Sequence, residues 1–330
     1  MSATLSAVVP VLDGRRWLER SLPPLLDAMR RGQLLEVLVA DDGSLDGSGD
    51  YARSLGARVI QTDRRACGPA RARNLAAAQA AGAVLLFVDA DVVVSDDAVP
   101  RLLKTFEDPA VGAVYGSYDD DPDHRSYASL YMNLRHHAGH RVRRDGVDTF
   151  WAGLGAVRRE AFLAVGGYDA AAFPAPSVED IDLGRRLRAA GVQIRRDPEI
   201  LGKHLKRWSW WQVIRTDVVH RALPWSRLIQ RYPGAFRDLN VSRAEQVRAA
   251  AALVFASSCP LALLQVAPWW APLVMLLGVG AGNGALLRVF SRGAGPLFAF
   301  VALLFHQLHL CYSAAIFVWC RLTPLPRDTA

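Results

Sequence analysis

One short stretch constrains the fold of this chain more than any other: the uninterrupted apolar run Val84–Val88, closed by Asp89-Ala90-Asp91. Such a run is typical of a strand that is buried on both faces, as in a parallel sheet covered by helices. The two carboxylates would then stand at the carboxyl end of the strand, where open α/β sheets bind ligands. Carboxylates gathered there suit a hard divalent cation that also contacts a substrate diphosphate. The alternative is an ordinary strand end, where Asp gives solubility or caps a helix.

Further apolar runs at residues 7–11, 37–40 and 58–61 precede this one, and helical patterns separate them. This alternation predicts an α/β fold with a mainly parallel sheet flanked by helices. Because the carboxyl ends of parallel strands meet at one edge, we expect Asp41 and Asp42, which follow the second run, to converge with Asp89 and Asp91.

The last third of the chain has long uncharged stretches. Residues 249–287 contain no Asp, Glu, Lys, Arg or His, and residues 293–320 contain only His306 and His309 from that set. Since a span needs about 20 apolar residues, two to three hydrophobic helices are expected here, with a shallow or re-entrant pair at 249–287 as an alternative. A buried helical subdomain is disfavoured because seven of the nine Trp residues lie at position 208 or later, flanking these stretches.

The charge pattern favours a membrane partner over a nucleic acid. The chain has a formal net charge of +7, and many of its basic residues are interleaved with Trp, Leu and Ile in the segment 203–231. That pattern is typical of an interfacial helix on anionic lipid, and no nucleic-acid motif accompanies it. We therefore expect a polar domain at 1–206, interfacial amphipathic helices at 207–246 and a membrane region at 247–330. Arg243, Arg248, Arg288 and Arg292 predict an inner (plasma) membrane location with the polar domain in the cytoplasm.

Several motifs occur in a fixed order along residues 5 to 206. They are Val9-Pro10-Val11, Asp41-Asp42-Gly43-Ser44, Ala72-Arg73-Asn74, Asp89-Ala90-Asp91, Trp151 to Ala156, Gly166-Gly167-Tyr168-Asp169 and Glu179-Asp180. In this order they resemble a family-2 glycosyltransferase of the inverting GT-A type. The resemblance implies a sheet that binds a nucleotide-diphosphate sugar, most simply a UDP-sugar, and a Mg²⁺ or Mn²⁺ ion.

The resemblance also implies roles for individual residues. Asp41 would contact the base of the donor, with Asp42 as the adjacent alternative, and a plain Asp-Gly turn is the other interpretation. Arg73 would support the acidic site, unless it is a solvated helix residue. Asp89 would face the ribose or a bound water, and together with Asp91 it would form the metal site.

Three further positions complete the predicted site. Asp180 is the candidate base that deprotonates an acceptor hydroxyl, while helix capping is the alternative for Glu179 and Asp182. His204 would approach the metal or the diphosphate, or else be an interfacial histidine. The acidic run 119–121 resembles a metal cluster but is more typical of a solvated turn.

These expectations give a membrane-associated enzyme that moves one sugar to a lipid or lipid-linked saccharide. Arg207-Trp208 lacks the Gln three residues before the Arg that processive relatives carry, which favours a single transfer over chain synthesis. Two alternatives remain from the sequence: a polyprenyl-phosphate glycosyltransferase, and a non-catalytic sensor of nucleotide sugars on the same fold.

Overall fold

The computed structural model describes residues 4–141, 143–234 and 242–325, which fall into two compact units. The first unit comprises Met1–His124 and His140–Lys206, and the second comprises Arg125–Gly139 and Arg207–Ala330. The segment Arg125–Gly139 therefore joins the second unit, although it is surrounded in sequence by the first.

The strands and helices alternate through the first 206 residues. The strands are β1 (Leu5–Val11), β2 (Glu36–Asp41), β3 (Arg58–Gln61), β4 (Val84–Val88), β5 (Val92–Val94), β6 (Val111–Tyr118), β7 (Arg144–Asp145), β8 (Leu154–Arg158) and β9 (Gln193–His204). The helices are α1 (Arg15–Arg30), α2 (Ser48–Ser54), α3 (Pro69–Gln79), α4 (Ala98–Thr105), α5 (Tyr127–His140), α6 (Arg159–Ala164), α7 (Glu179–Ala189), α8 (Trp210–Arg215), α9 (Leu223–Arg231), α10 (Arg243–Leu263), α11 (Ala271–Gly282), α12 (Gly284–Ala294) and α13 (Pro296–Leu322). A π-helical segment, Thr216–Ala222, joins α8 to α9.

The first unit is built on a nine-stranded sheet with the order β3-β2-β1-β4-β8-β6-β9-β5, and β7 pairs with β9. The first four strands in this order are parallel, but β8 runs antiparallel to both β4 and β6, and β5 runs antiparallel to β9. The predicted α/β class is confirmed: four strand pairs are parallel, including β6 with β9, and the antiparallel pairs of β8, β5 and β7 make the sheet mixed beyond β4. An apolar run identifies a strand, but it carries no information about the direction of the strand that pairs with it.

Strand β4 lies in the centre of the sheet and is fully buried. Its residues alternate between two cores: Val84, Leu86 and Val88 pack on the face that is covered by α1, while Leu85 and Phe87 pack on the face that is covered by α3. Burial on both faces explains why no polar residue interrupts this strand. Helix α1 runs unbroken through Pro23-Pro24.

The second unit is helical. By length and composition α10 and α13 could each cross a membrane, and α11 with α12 would add a third crossing only as one span broken by an 82° bend. The core of this unit is formed by residues of α5, α12 and α13 with Trp208 and Val213. The predicted C-terminal apolar helices are therefore present among the described residues.

One glycine fixes the position of α7. A Cβ atom on Gly184 would lie 2.3 Å from the backbone nitrogen of Phe150, so helix and backbone can approach this closely only at a glycine. We expect Gly184→Ala to cost roughly 1–3 kcal/mol of unfolding free energy, because α7 must move away from residues 149–150. Thermal unfolding in detergent checks this expectation. Gly139→Ala is the matched control: nothing lies within 4 Å of a Cβ there, so an unchanged or slightly higher melting temperature is expected, because alanine favours the helix.

Candidate active site

The carboxyl end of β4 is tied to two other segments of the first unit. The backbone N–H of Asp89 donates to the carbonyl of Gly153 at 3.2 Å, just before β8. The Asp89 carboxylate accepts a hydrogen bond of 2.6 Å from Nη2 of Arg73, which stands on α3. The other terminal nitrogen of Arg73 donates to Oε1 of Glu179 at 3.1 Å, at the start of α7. Arg73 thus joins the strand end to the acidic pair Glu179-Asp180.

Arg73 is a buried cation, and not the solvated helix residue that the sequence left as an alternative. Its side chain is 5% exposed, while the side chains of Asp89 and Glu179 are 34% and 7% exposed. Burial alone would lower the pKa of this guanidinium, but the charges of Asp89 and Glu179 raise it above its usual value. Burial raises the pKa of Asp89, and the neighbouring charge of Asp91 adds to that effect although Arg73 opposes it. Arg73 is therefore a permanent charge that holds two acidic segments together.

Asp91 faces a different partner. Its Oδ2 lies 3.5 Å from Nε2 of His204, at the end of β9, where β5 pairs Val92 with His204. Burial would raise the pKa of Asp91, but His204 and Lys206 lower it below its usual value, so this carboxyl is ionised at neutral pH. The His204 ring stacks on Tyr118, with ring centroids 4.4 Å apart. Tyr118 in turn packs against Trp151 in a T-shaped arrangement, with ring centroids 4.9 Å apart. His204 is therefore held in a fixed aromatic setting inside the first unit.

Asp180 lies in the first turn of α7 and accepts two backbone hydrogen bonds, from Ala152 at 3.2 Å and from Ile181 at 2.8 Å. Burial and the adjacent charge of Glu179 raise the pKa of Asp180 to about 7. A carboxyl with that pKa can take up and release a proton near neutral pH, as general acid–base chemistry requires. Because Ala152 is next to Gly153, which binds Asp89, the loop before β8 connects Asp180 to the end of β4.

Asp41 and Asp42 are buried by their own loops. Oδ1 of Asp41 accepts a hydrogen bond from Ser44 N at 2.9 Å, which is the turn geometry that the sequence offered as the alternative. Asp42 binds the backbone N–H groups of Cys67 at 2.9 Å and Gly68 at 2.8 Å. Both carboxylates shape the loops at the edge of β2, and the contact of Asp41 with a donor base stays a prediction.

The remaining acidic residues have structural partners. Asp182 forms ion pairs with Arg185 and Arg186 at 2.9 and 2.7 Å. In the acidic run 119–121, Asp119 and Asp121 each lie 3.0 Å from Nζ of Lys203. Among the residues that the structure describes, no three or more His, Cys, Asp and Glu side chains are gathered closely enough to hold a metal ion by themselves.

The donor chemistry at Asp91 and His204 fits a divalent cation that takes most of its ligands from a substrate. An ionised carboxylate and a ring nitrogen 3.5 Å apart can offer two ligands to one ion, and diphosphate oxygens and water would supply the others. Asp89 turns its Oδ1 to Arg73, so the structure brings Asp91 and His204 together more directly than it brings Asp89 to either.

Sequence reasoning did not anticipate the contributions of Tyr118 and of the loop before β8. Tyr118 supports His204, and Ala152 and Gly153 hold Asp180 and Asp89 through backbone atoms. The Trp151-Ala152-Gly153 motif was visible in the sequence, but a motif does not reveal which backbone groups bind which carboxylates.

This architecture defines a GT-A-type transferase domain: a mixed sheet whose central strand ends in an acidic pair, with a further carboxyl at the start of α7. Residues 6–166 match the family model described as Glycosyl transferase family 2. This match covers just under half of the chain, so residues 6–166 form a family-2 glycosyltransferase domain, and the protein is a glycosyltransferase, as its motifs predicted.

Relatives that match over most of their length agree. An O-antigen chain rhamnosyltransferase of Salmonella typhimurium is 24% identical, with 82% of this chain and 85% of the relative covered. A succinoglycan biosynthesis protein of Rhizobium meliloti is 28% identical, with 89% and 88% covered. A mannosyltransferase from Pyrobaculum calidifontis, solved with GDP-Man and Mn²⁺, has a TM-score of 0.58 at 19% identity, with 97% of this chain and 88% of that chain covered. At that identity the structural match supports the fold alone.

The Arg73 bridge gives a testable prediction. Arg73→Met leaves the carboxylates of Asp89 and Glu179 without their shared cation, so we expect about 3–5 kcal/mol of destabilisation, measured as a lower melting temperature. The double variant Arg73→Met/Glu179→Gln should recover part of this loss, because the more buried carboxylate is then neutral. Arg71→Met is the control: its ion pair with Asp63 is exposed, and such pairs contribute about 0–1 kcal/mol. Equal losses for Arg71→Met and Arg73→Met would contradict the special role of the bridge.

Proposed function

We propose that this protein is a membrane-associated, metal-dependent, inverting glycosyltransferase. It would move one sugar from a nucleotide-diphosphate sugar, most simply a UDP-sugar, to a lipid or lipid-linked saccharide on the cytoplasmic face of the inner membrane. The observation that carries the proposal is the joining of two acidic segments, Asp89-Ala90-Asp91 at the carboxyl end of β4 and Glu179-Asp180 at the start of α7, through Arg73.

In this proposal one set of residues binds the metal ion and the sugar donor, and Asp180 acts on the acceptor. Asp91 with His204, and Asp89 as a further candidate, would hold a Mg²⁺ or Mn²⁺ ion, which supplies positive charge against the departing diphosphate. Asp41 or Asp42 would meet the donor base, and Arg73 would fix Asp89. Asp180 would accept the proton of an acceptor hydroxyl as that oxygen attacks the anomeric carbon from the face opposite the leaving group. Such a single displacement inverts the anomeric configuration.

The second unit supports the lipidic acceptor. Residues of α10, α11 and α13 expose large apolar side chains, among them Leu263, Leu264, Leu277, Leu297 and Leu322. An apolar surface of this extent on a basic chain fits a lipid partner rather than a soluble one. The names of the relatives, which act in O-antigen and succinoglycan synthesis, agree with an acceptor of the lipid-linked saccharide class.

The test is an assay of nucleoside diphosphate release. Detergent-solubilised protein is incubated with Mn²⁺ and a panel of UDP- and GDP-sugars, with and without a membrane lipid extract. We expect release from one donor, and we expect the extract to increase it. Release that a water-soluble acceptor increases and the extract does not would overturn the lipidic acceptor. Donor binding without any release, in folded protein, would favour the sensor alternative.

A further inference from the structure

We propose that the second unit inserts into one leaflet of the membrane and that none of its described helices crosses the bilayer. This inference rests on the membrane association in the proposed function. It differs from the expectation set by length and composition, since α13 has 27 residues and spans about 40 Å, enough to cross a hydrocarbon core.

Helix α13 has a charged companion along most of its length. We call residues 210–231, from α8 through the π-helical segment to α9, the Trp-rich helix. Trp210 near its start packs on Phe305 with ring centroids 4.3 Å apart. In its middle, Oδ2 of Asp217 accepts a 2.9 Å hydrogen bond from the Tyr312 hydroxyl.

The end of the Trp-rich helix meets the end of α13. Arg227 donates to the carbonyl oxygens of Thr323 at 3.1 Å and of Pro324 at 3.0 Å, which caps the negative end of the helix. From the Trp210–Phe305 contact to the Arg227–Thr323 contact, the chain advances 17 residues along the Trp-rich helix and 18 along α13, or about 26 and 27 Å. Matching advances mean that the two helices run side by side in the same direction.

The Trp-rich helix cannot lie in hydrocarbon. Over 22 residues it carries a set of charged or titratable side chains: Arg215, Asp217, His220, Arg221, Arg227 and Arg231. Asp217 is buried and paired with Arg135, but Arg215 and Arg231 are exposed, and such charges are strongly unfavourable at the centre of a bilayer. A helix of this composition lies along the membrane interface, and α13, which follows it from Phe305 to Pro324, must lie at a similar depth.

Helix α12 is held on the same side as α5. Helix α5 has 14 residues and spans about 21 Å, less than a hydrocarbon core of about 30 Å, so its two ends are on one side of the membrane. Phe290 of α12 packs on Tyr131 of α5, with ring centroids 5.9 Å apart. Arg125 donates a hydrogen bond to the carbonyl of Gly293 at 2.9 Å. The exposed Arg288 and Arg292 of α12 are therefore on that side as well.

Helices α10 and α11 form a hairpin whose uncharged part is shorter than a hydrocarbon core, although α10 as a whole is long enough to cross. The uncharged part of α10, residues 249–263, spans about 22 Å, and the 12 residues of α11 span about 18 Å, against a core of about 30 Å. Arg248, before that uncharged part, donates to the carbonyl of Gly282, the last residue of α11, at 2.9 Å. The start of the uncharged part of α10 and the end of α11 are thus at the same depth in the membrane. The tip exposes Leu264, Val266 and Trp269.

The outer surface of the unit matches a single leaflet. On α13 the exposed apolar residues form one stripe at helical spacing, which includes Leu297, Val301, Leu304, Leu308, Trp319 and Leu322. The side that bears this stripe would face acyl chains, while exposed arginines such as Arg215 and Arg288 would face anionic headgroups. The enzyme would reach a lipid acceptor within that leaflet without providing a path across the bilayer.

The experiment is sidedness labelling of the full chain in bacterial spheroplasts with a membrane-impermeant maleimide. Three variants each add one cysteine at an exposed position: Ser54→Cys on α2 as the cytoplasmic reference, Ser291→Cys on α12, and Arg321→Cys at the end of α13. Peptide mass spectrometry assigns each label, so the four native cysteines stay in place. Permeabilised cells show that every added cysteine is reachable, and donor-dependent nucleotide release shows that each variant is folded.

We expect all three cysteines to be labelled only after permeabilisation. Labelling of Ser291→Cys in intact spheroplasts would mean that α10 crosses, and labelling of Arg321→Cys would mean that the chain crosses an odd number of times before its end. Either result overturns the single-leaflet arrangement while membrane association stands. Recovery of active protein in the soluble fraction would instead overturn the membrane association itself.

Discussion

Replacing Asp91 with asparagine is expected to reduce kcat/KM by about 10³-fold, since removing a group that stabilises charge on a leaving group has effects of that order. The side chain of Asp91 is ionised and lies 3.5 Å from His204, while Asp89 is engaged by Arg73. An amide at position 91 would keep the shape of the side chain but lose the charge that attracts a cation. The measurement is nucleoside diphosphate release as a function of Mn²⁺ concentration.

Asp96→Asn is the matched control for this experiment. Asp96 is an exposed acid five residues further along the chain, so the same chemical change there should leave the Mn²⁺ dependence as it is in the natural protein. If Asp91→Asn keeps the natural Mn²⁺ dependence, the cation is not held at Asp91. Asp91→Asn should melt somewhat lower, because His204 and Lys206 stabilise the ionised carboxyl, but it should still melt cooperatively, which separates a lost ligand from a lost fold.

Replacing Asp180 with asparagine is expected to lower kcat by about 10²–10⁴-fold, the usual contribution of a general base. The pKa of this carboxyl is raised to about 7 by burial and by the charge of Glu179. A base must be deprotonated to act, so the activity of the natural protein should rise as pH increases through about 7. In Asp180→Asn the residual activity should lose that step. Rates measured between pH 5.5 and 8.5 test both expectations.

The pH dependence of the melting temperature gives a second, independent test of the raised pKa of Asp180. Because the folded-state pKa of about 7 exceeds the ordinary value of 3.8, the folded chain binds more protons than the unfolded chain between these values. The carboxyl therefore destabilises the fold increasingly as pH rises from about 4 to 7, and it remains destabilising above pH 7. Asp180→Asn should melt higher than the natural protein at pH 8 and similarly at pH 4.

Asp182→Asn is the control on the same helix, two residues away. Asp182 pairs with Arg185 and Arg186, so its loss should lower the melting temperature without removing the pH step in rate. Near-normal turnover of Asp180→Asn would contradict a hydroxyl acceptor that needs a base. It would point instead to an acceptor that is already an anion, as in a polyprenyl-phosphate glycosyltransferase.

The order of strands and motifs was available from the sequence because it depends on local patterns. Burial on both faces forces an uninterrupted apolar run at Val84–Val88, and the polar residues that end such runs mark the sheet edge. Turn chemistry at Asp41-Asp42-Gly43 is equally local. These features fixed the α/β class and the family, and they singled out Asp89, Asp91 and Asp180 for the site.

The tertiary structure determined which side chains and backbone groups contact one another at the site. In the sequence, nothing distinguishes Arg73 from an ordinary solvated helix arginine. In the fold, Asp89 and Glu179, which lie 16 and 106 residues further along the chain, accept hydrogen bonds from its two terminal nitrogens. The antiparallel pairing of β8 with β4 positions the loop whose backbone holds Asp180, and the parallel pairing of β6 with β9 places the Tyr118 ring on His204. Likewise, the sequence of α13, which is uncharged up to Arg321, predicts a membrane crossing, and its packing beside the charged Trp-rich helix supports a different depth. Hydrophobic periodicity is encoded residue by residue, whereas the partner of a buried charge is set by contacts between segments that the sequence keeps far apart.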